Sequence, residues 1–280
     1  MIIDCHTHIF QKSVRQERER FFDKEPKFKM LYDSEKSPMA GYEDVISVMD
    51  EQAVDVSVVC GFPWHDLELV KENNDYVLQA VARYPDRLKG LVCFDAMLPA
   101  AARETERCLD AGMSGVGELA FYLSGIDHEA VKHLEPVMAL LREKGNPPCM
   151  IHTNEPVGHK YPGKTPVTLE QIYALCKTFP DNRLILAHWG GGIFFYNVMK
   201  KEVSDVLKNV WFDIAASPFL YTPAIYNMAV EAGLEDKVLF GTDFPLLDPN
   251  RYYRDIDQSK LTDGQKEKIY SRNASALFPD

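Results

Sequence analysis

Short runs of apolar and β-branched residues recur along the chain at fairly regular intervals. Eight such runs are present: Ile2–Cys5, Val54–Phe62, Leu88–Asp95, Gly115–Leu119, Cys149–Thr153, Leu184–His188, Val210–Ile214 and Val238–Asp243. Most have the length and the near-continuous apolar character of a strand that is buried on both faces. Because helical patterns lie between these runs, the sequence predicts a parallel sheet that is covered by helices.

The segments between the runs carry helix signals. Apolar residues from Ile172 to Phe179 follow the i, i+3, i+4, i+7 spacing of one helix face. Thr165-Pro166 places a proline where that helix would begin. Thr262 and Gln265 have the spacing of a capping box, so another helix is predicted to start there.

Eight strands in 280 residues favour closure into one α/β domain over residues 1–280, a (β/α)₈ TIM barrel. An open doubly wound sheet is the alternative. Two insertions, residues 11–40 and 155–165, follow the first and fifth strands. Both fall on the side of the strand carboxyl ends, where barrel enzymes place their substrate loops.

Charge and cysteine content narrow the classes of partner. The formal net charge is −11 and the pI is near 5.2, so neither a nucleic acid nor an anionic membrane surface is an expected partner. Without an apolar run long enough for a membrane span or a signal peptide, we expect a cytoplasmic protein.

The six cysteines form no C-x-x-C pair, which favours buried free thiols over a thiolate metal site.

Polar residues with metal-binding side chains close several of the predicted strands. His6 and His8 end the first strand and share a face because strand side chains alternate. His152, His188 and Asp243 close the fifth, sixth and eighth strands. A barrel brings these ends into one ring, so the sequence predicts one site. A lone histidine at a strand end is usually a hydrogen-bonded core residue, but the coincidence of several favours a metal site.

Imidazoles and a carboxylate suit Zn²⁺ or a similar first-row divalent ion, and Zn²⁺ is the one we expect. Three or four protein ligands would leave a coordination position for water. A bound metal lowers the pKa of water to about 7, which generates hydroxide near neutral pH.

Several motifs together resemble those of a known superfamily. They are Asp4-x-His6-x-His8, His152 after the fifth strand, Ala187-His188-Trp189 followed by three glycines, and Phe240-Gly-Thr-Asp243-Phe-Pro. This series resembles the amidohydrolase superfamily of metal-dependent hydrolases, specifically the amidohydrolase-related branch that includes aminocarboxymuconate semialdehyde decarboxylase. The resemblance runs nearly end to end.

The resemblance implies roles for individual residues. His6, His8, His152 and Asp243 would bind a single divalent metal, and His188 would be the catalytic acid or base beside metal-bound water. The alternative for His188 is a further metal ligand. Asp243 would also assist proton transfer.

The fourth strand departs from the pattern of the binuclear superfamily members. Those carry a lysine at its end, whereas this chain has Glu118, so we expect one metal. Glu118 is similar to the glutamate that bridges metals in TatD-type nucleases and would be the ligand of a second ion. The alternative is that it holds a ligand imidazole in place.

Further polar residues lie in the predicted substrate loops. Those expected to contact substrate are Trp64, His65, Asn154, His159, Lys160 and Lys164. A local group of histidine and lysine in an acidic chain suggests a substrate that carries a carboxylate. A solvated loop with ordinary surface lysines is the alternative.

The function predicted from the sequence is hydrolysis of a small, carboxylated organic substrate, such as a lactone or cyclic amide, by metal-activated water. The alternative is a non-oxidative, metal-dependent decarboxylase with the same ligands, in which His188 directs protonation of the substrate carbon. A barrel that binds metal without catalysis is a third reading, less favoured because His188 is a spare candidate beyond four ligands. A homodimer is expected from the commonness of such symmetry.

Overall fold

The computed structural model describes residues 1–279 and forms a (β/α)₈ barrel, as the apolar periodicity predicts. The strands are β1 (Ile3–His8), β2 (Val56–Cys60), β3 (Leu88–Val92), β4 (Gly115–Leu119), β5 (Cys149–Ile151), β6 (Leu184–Leu186), β7 (Val210–Asp213) and β8 (Val238–Leu239). All adjacent strands pair in parallel and in chain order.

The segment around β8 returns to β1 and closes the cylinder. The backbone N–H of Cys5 donates to the carbonyl of Phe240 at 2.8 Å, and that of Asp243 donates to the carbonyl of His6 at 2.8 Å. His8 N–H donates to Phe244 at 2.7 Å. The open doubly wound alternative is therefore excluded.

Helices cover the outside of the barrel. The principal ones are Tyr42–Gln52, Leu67–Arg83, Ala101–Asp110, His128–Glu143, Leu169–Thr178, Lys201–Val206, Ala224–Glu231 and Asn250–Asp257. Other helical segments are Lys12–Gln16, Arg18–Phe21, Pro26–Tyr32, Ala187–Gly190, Ile193–Val198, Ser217–Leu220, Asp263–Glu267, Lys268–Arg272 and Asn273–Ser275. Their apolar faces pack on the sheet and form the larger core.

The two predicted helix starts have different outcomes. Thr262 and Gln265 form the predicted capping box. The helix predicted to begin at Thr165-Pro166 instead begins at Leu169, because Thr168 caps it. Thr165 is engaged elsewhere: its hydroxyl donates to the Asn154 side chain at 2.6 Å.

A second, smaller core fills the barrel interior. Its side chains include Cys5, Cys60 and Cys93, and the terminal residues Leu277 and Phe278 pack against the same cluster. All six cysteines are free and buried, as predicted. This apolar filling leaves the carboxyl ends of the strands as the place where polar side chains converge.

Candidate metal centre and active site

The predicted polar residues meet at the carboxyl ends of the strands. They form two groups whose ligand atoms lie within 4.8 Å of one another, His6, His8 and Asp243 in the first, and Glu118, His152 and His188 in the second. The groups touch, since His6 Nε2 lies 3.6 Å from a Glu118 oxygen. Residues from β1, β4 and the ends of β5, β6 and β8 therefore share one site.

An irregularity in β1 brings both of its histidines to this site. Ile3 and Cys5 point into the apolar barrel interior, so strict alternation would turn His6 outward. The pairing of β1 with β2 shifts register between Asp4 and Thr7. Such an irregularity re-aims the side chains that follow it, and His6 and His8 consequently face the same centre.

Nitrogen and oxygen atoms of the first group crowd around one point. His6 Nε2 and His8 Nε2 are 3.1 Å apart. Asp243 Oδ1 lies 3.2 Å from His8 Nε2 and 3.7 Å from His6 Nε2. Three buried or half-buried ligand atoms this close are the donor set that a first-row divalent ion prefers.

Glu118 connects the second group to the first. One of its oxygens accepts a hydrogen bond from His152 Nδ1 at 3.0 Å. The same oxygen lies 3.7 Å from His188 Nε2. This contact corresponds to the alternative role predicted for Glu118, in which the carboxylate holds an imidazole in place.

Hydrogen bonds at Nδ1 orient three of the imidazoles alike. His6 Nδ1 donates to Asp213 at 2.9 Å, His8 Nδ1 to the Gly61 carbonyl at 3.2 Å, and His188 Nδ1 to the Ala215 carbonyl at 3.0 Å. In the neutral form of each ring, the proton on Nδ1 leaves Nε2 with a lone pair that faces the site. This tautomer fits a bound metal.

His152 has the opposite orientation. Its Nδ1 faces Glu118, while its Nε2 bonds the Gly163 carbonyl of the 155–165 loop at 3.1 Å. The second predicted substrate insertion thus contacts the site directly, through its backbone.

His188 and Asp243 both occupy left-handed backbone conformations, with φ of 55° and 61°. Non-glycine residues rarely adopt this region, and those that do cluster at functional sites. The glycines after His188 permit a close approach: a Cβ on Gly191 would lie 2.4 Å from the Asn154 carbonyl oxygen. The glycine run therefore serves backbone packing beside the site.

The buried charges oppose one another. Burial lowers the pKa of His6, but the Glu118 and Asp213 carboxylates outweigh burial and raise that pKa well above its ordinary value. Burial raises the pKa of Glu118, but the charges of His6 and His152 outweigh burial and lower that pKa well below its ordinary value. Burial and the charge of His152 lower the pKa of His188. His188 is consequently a neutral imidazole near neutral pH.

A cavity of about 1290 Å³ opens above the site. His8, Glu118, His152, His188 and Asp243 lie among its lining residues. Aromatic side chains form much of the rest of the wall, including Tyr32, Phe62, Tyr122, Tyr161, Phe195, Phe219 and Tyr221. An apolar wall with a few convergent polar groups is typical of a small-molecule site.

Of the predicted substrate contacts, only His159 lies among the described residues that line this cavity. Trp64 is buried against Phe28, with ring centroids 4.6 Å apart. The exposed His65 ring faces Asp95 at 3.3 Å. Packing against Phe28 therefore accounts for Trp64, and the contact with Asp95 accounts for His65.

The 155–165 loop uses most of its predicted contacts internally. Asn154 is buried and accepts from the Thr165 backbone at 2.8 Å. Lys164 pairs with Glu155 at 2.6 Å. Lys160 is exposed. These three side chains brace the loop or face solvent, rather than lining the cavity.

Three residues that the structure brings to the site were not predicted from the sequence. Asp213 ends β7 and bonds both His6 Nδ1 and the backbone N–H of His188. Its position at the end of an apolar strand matches that of Asp243 and was the available signal. Tyr32 and Tyr122 line the cavity, but no spacing distinguishes them from other tyrosines in loops.

Residues 3–279 match the protein family described as Amidohydrolase. The chain belongs to the amidohydrolase family. This result confirms the resemblance that the histidine and aspartate motifs indicate, over nearly the whole sequence.

Relatives of this amidohydrolase-family chain include gamma-resorcylate decarboxylase from Rhodococcus jostii, strain RHA1. The identity is 21% over an alignment of 304 positions. The alignment covers 88% of this chain and 90% of the relative. One similar solved structure is 5-carboxyvanillate decarboxylase from Novosphingobium aromaticivorans, which contains manganese and 4-hydroxy-3-methoxy-5-nitrobenzoic acid. Its TM-score is 0.75 at 17% identity, and the match covers 99% of this chain and 96% of that one. A dihydroxybenzoic acid decarboxylase from Polaromonas sp. JS666, solved with manganese and the inhibitor 2-nitroresorcinol, has a TM-score of 0.70 at 18% identity, with 99% and 96% coverage.

The likenesses to solved structures confirm the barrel. The family match and the cluster of ligand atoms support an enzyme with a divalent metal. The decarboxylase from Rhodococcus jostii fits the predicted alternative, a decarboxylase, better than the predicted hydrolase. The two solved structures contain manganese, whereas the sequence analysis predicts zinc. Within residues 1–279 no helix has both the length and the apolar character needed to cross a bilayer.

Proposed function

We propose that the chain is a metal-dependent decarboxylase of a small hydroxylated aromatic carboxylic acid. One observation carries the proposal: His188 presents a free Nε2 to the metal-binding cluster at the base of an aromatic-lined cavity. The decarboxylases of hydroxylated aromatic acids among its relatives support the same substrate class.

His6, His8, His152 and Asp243 would hold the ion, and the Nδ1 hydrogen bonds of His6 and His8 fit that role. His152 would join them by releasing its contact with Glu118 or with the Gly163 carbonyl. When bound, a divalent ion supplies positive charge that attracts the carboxylate of the substrate. We infer Mn²⁺ rather than Zn²⁺ as the working ion from the solved structures that contain it.

His188 would carry the proton that the reaction consumes. Its Nδ1–H is fixed on the Ala215 carbonyl at 3.0 Å, so Nε2 is the atom that exchanges protons. Because neutral His188 carries no proton on Nε2, Nε2 first takes one up from solvent and then passes it to the ring carbon that bears the carboxylate. The bond between that carbon and the carboxylate then breaks, carbon dioxide leaves, and the electron pair restores the aromatic ring.

The walls would bind and orient the ring of the substrate. Phe62 and Tyr122 lie nearly parallel, with an interplanar angle of 6° and ring centroids 6.2 Å apart. Flat aromatic surfaces next to the cluster favour an aromatic substrate over a flexible aliphatic acid. His159, on the 155–165 loop, retains its proposed role as a contact at the cavity wall.

Product analysis separates decarboxylation from hydrolysis. The manganese-loaded protein is incubated with a panel of hydroxybenzoates and, separately, with carboxylated lactones, and the products are identified by mass spectrometry. We expect loss of carbon dioxide from at least one hydroxybenzoate and no hydrolysis of the lactones. Addition of water to a lactone, with every hydroxybenzoate unchanged, would instead support the hydrolase.

A further inference from the structure

Four tyrosines that line the cavity, Tyr32, Tyr122, Tyr196 and Tyr221, have hydroxyls without a hydrogen-bond partner within residues 1–279, and the first two pack on Phe62. Tyr161, another tyrosine of the wall, differs because its hydroxyl donates to Glu155 at 2.8 Å.

Packing fixes the two rings relative to the site. Tyr32 stacks on Phe28 with centroids 4.8 Å apart and meets Phe62 edge-on at 6.1 Å. The Tyr122 ring is nearly parallel to that of Phe62, with centroids 6.2 Å apart, and its centroid lies 5.8 Å from that of the His152 ring. Both phenols therefore flank one aromatic wall, and Tyr122 adjoins the metal-binding cluster.

The hydroxyls of Tyr32 and Tyr122 are suited to bind an uncharged oxygen of the substrate, such as a hydroxyl group, rather than its carboxylate. The lining contains no arginine among the described residues, and its one lysine, Lys36, is exposed. A carboxylate is drawn to a cation, so the metal-binding cluster is the place for that end of the substrate. A phenol hydroxyl both donates and accepts a hydrogen bond, which matches a hydroxyl group on an aromatic ring.

We propose that Tyr32 and Tyr122 bind the ring hydroxyl of the substrate and so make the site selective for hydroxylated aromatic acids over their plain counterparts. The proposal rests on the proposed function for its substrate class. A site built to hydrogen-bond a hydroxyl rejects the analogue that lacks it, because its polar groups are then left unpaired.

The test measures affinities by isothermal titration of the manganese-loaded protein with 2-hydroxybenzoate and with benzoate. We expect the wild-type protein to prefer 2-hydroxybenzoate by at least about tenfold. Tyr32→Phe and Tyr122→Phe should each reduce that preference severalfold, because 2-hydroxybenzoate binds more weakly while benzoate no longer leaves a tyrosine hydroxyl unpaired and binds at least as tightly as before. Benzoate binding that is no weaker than in the wild-type protein also shows that each variant retains its folded cavity.

Tyr173→Phe is the matched control, because the Tyr173 hydroxyl bonds Glu202 at 3.3 Å on the surface. It should keep the full preference. A wild-type protein that binds both acids equally, or neither, overturns the proposal, as do tyrosine variants that retain the preference. If 2-hydroxybenzoate binds selectively but no acid loses carbon dioxide, the proposed function fails while the tyrosine pair stands.

Discussion

Asp213 is the residue through which two of the site histidines are positioned together. One carboxylate oxygen accepts from His6 Nδ1 at 2.9 Å, and the other accepts from the backbone N–H of His188 at 2.8 Å and of Ala215 at 3.1 Å. The side chain is fully buried. A single carboxylate therefore sets the tautomer of His6 and supports the left-handed turn at His188.

Asp213→Asn should weaken metal binding with little loss of fold. The amide oxygen still accepts from the backbone of His188 and Ala215, but the amide NH₂ then faces His6 Nδ1. That ring must place its proton on Nε2, where the lone pair for the metal would be. We expect a 10- to 100-fold loss of Mn²⁺ affinity, about the usual effect of removing such a partner, measured by calorimetry.

Asp205→Asn, which removes an exposed carboxylate paired with Lys201 at 2.6 Å, is the control and should bind Mn²⁺ normally. Native metal affinity in Asp213→Asn would contradict the positioning role. Asp213→Ala would then show whether any hydrogen bond at this position is needed.

His188→Asn tests whether His188 exchanges protons or binds the metal. Because His6, His8, His152 and Asp243 remain, we expect elemental analysis to find the wild-type amount of metal. Carbon dioxide release should fall by about 10²- to 10⁴-fold, the usual contribution of a positioned acid or base. Loss of the metal together with the activity would instead make His188 a ligand.

At the scale of elements, the segment between β1 and the helix Tyr42–Gln52 forms one wall of the site. Glu25 is buried in it and accepts from the backbone N–H groups of His65 and Asp66 at 3.1 and 2.8 Å. Lys27 pairs with the buried Asp95. The insertion predicted as residues 11–40 is thus fastened to the loops after β2 and β3, which holds Tyr32 over the cavity.

A buried network joins β3 to the two helices that flank it. Asn74 accepts from the Cys93 backbone at 3.0 Å and donates to Glu104 at 3.0 Å, and Glu104 accepts two bonds from Arg107. Burial raises the pKa of Glu104, but the bonds from Arg107 and Asn74 outweigh it and lower that pKa. The folded protein therefore favours the ionised carboxylate.

Glu104→Gln should reduce the free energy of unfolding by about 1–3 kcal/mol at neutral pH, because a charged acceptor is lost from a buried network. A lowered folded-state pKa means that the contribution is present above the ordinary glutamate pKa and disappears as the pH falls through the folded value. Urea titrations at several pH values should show the difference narrowing in acid. Glu106→Gln, an exposed neighbour, should show neither effect.

For the whole molecule, the barrel and its polar ring follow from the sequence because both depend on periodicity. Eight apolar runs imply eight buried strands, and a polar residue at the end of each of several strands implies convergence. Trp64 and Asn154 show the limit of that reasoning: both follow strands, yet packing and a local hydrogen bond turn them away from the cavity. Side-chain direction in a loop depends on tertiary contacts that no local pattern records.

The convergence of four imidazoles on two carboxylates predicts that metal stabilises the entire fold. Protein stripped with a chelator should regain stability when Mn²⁺ is added, by about 2.7 kcal/mol at a free concentration one hundred times the dissociation constant. The physical reason is that the ion binds only where strands from opposite sides of the barrel have met. Thermal unfolding with increasing Mn²⁺ or Zn²⁺ measures the effect and ranks the two ions.

Two histidine variants decide whether the stabilisation comes from this site. His8→Ala removes an imidazole whose Nε2 lies 3.2 Å from Asp243 and should abolish most of the metal-dependent rise in melting temperature. His128→Ala removes a side chain that is 89% exposed and should leave the rise intact. Equal rises in both variants would place the metal elsewhere, and the absence of any rise in the wild-type protein would mean that the ring of histidines is held by hydrogen bonds alone.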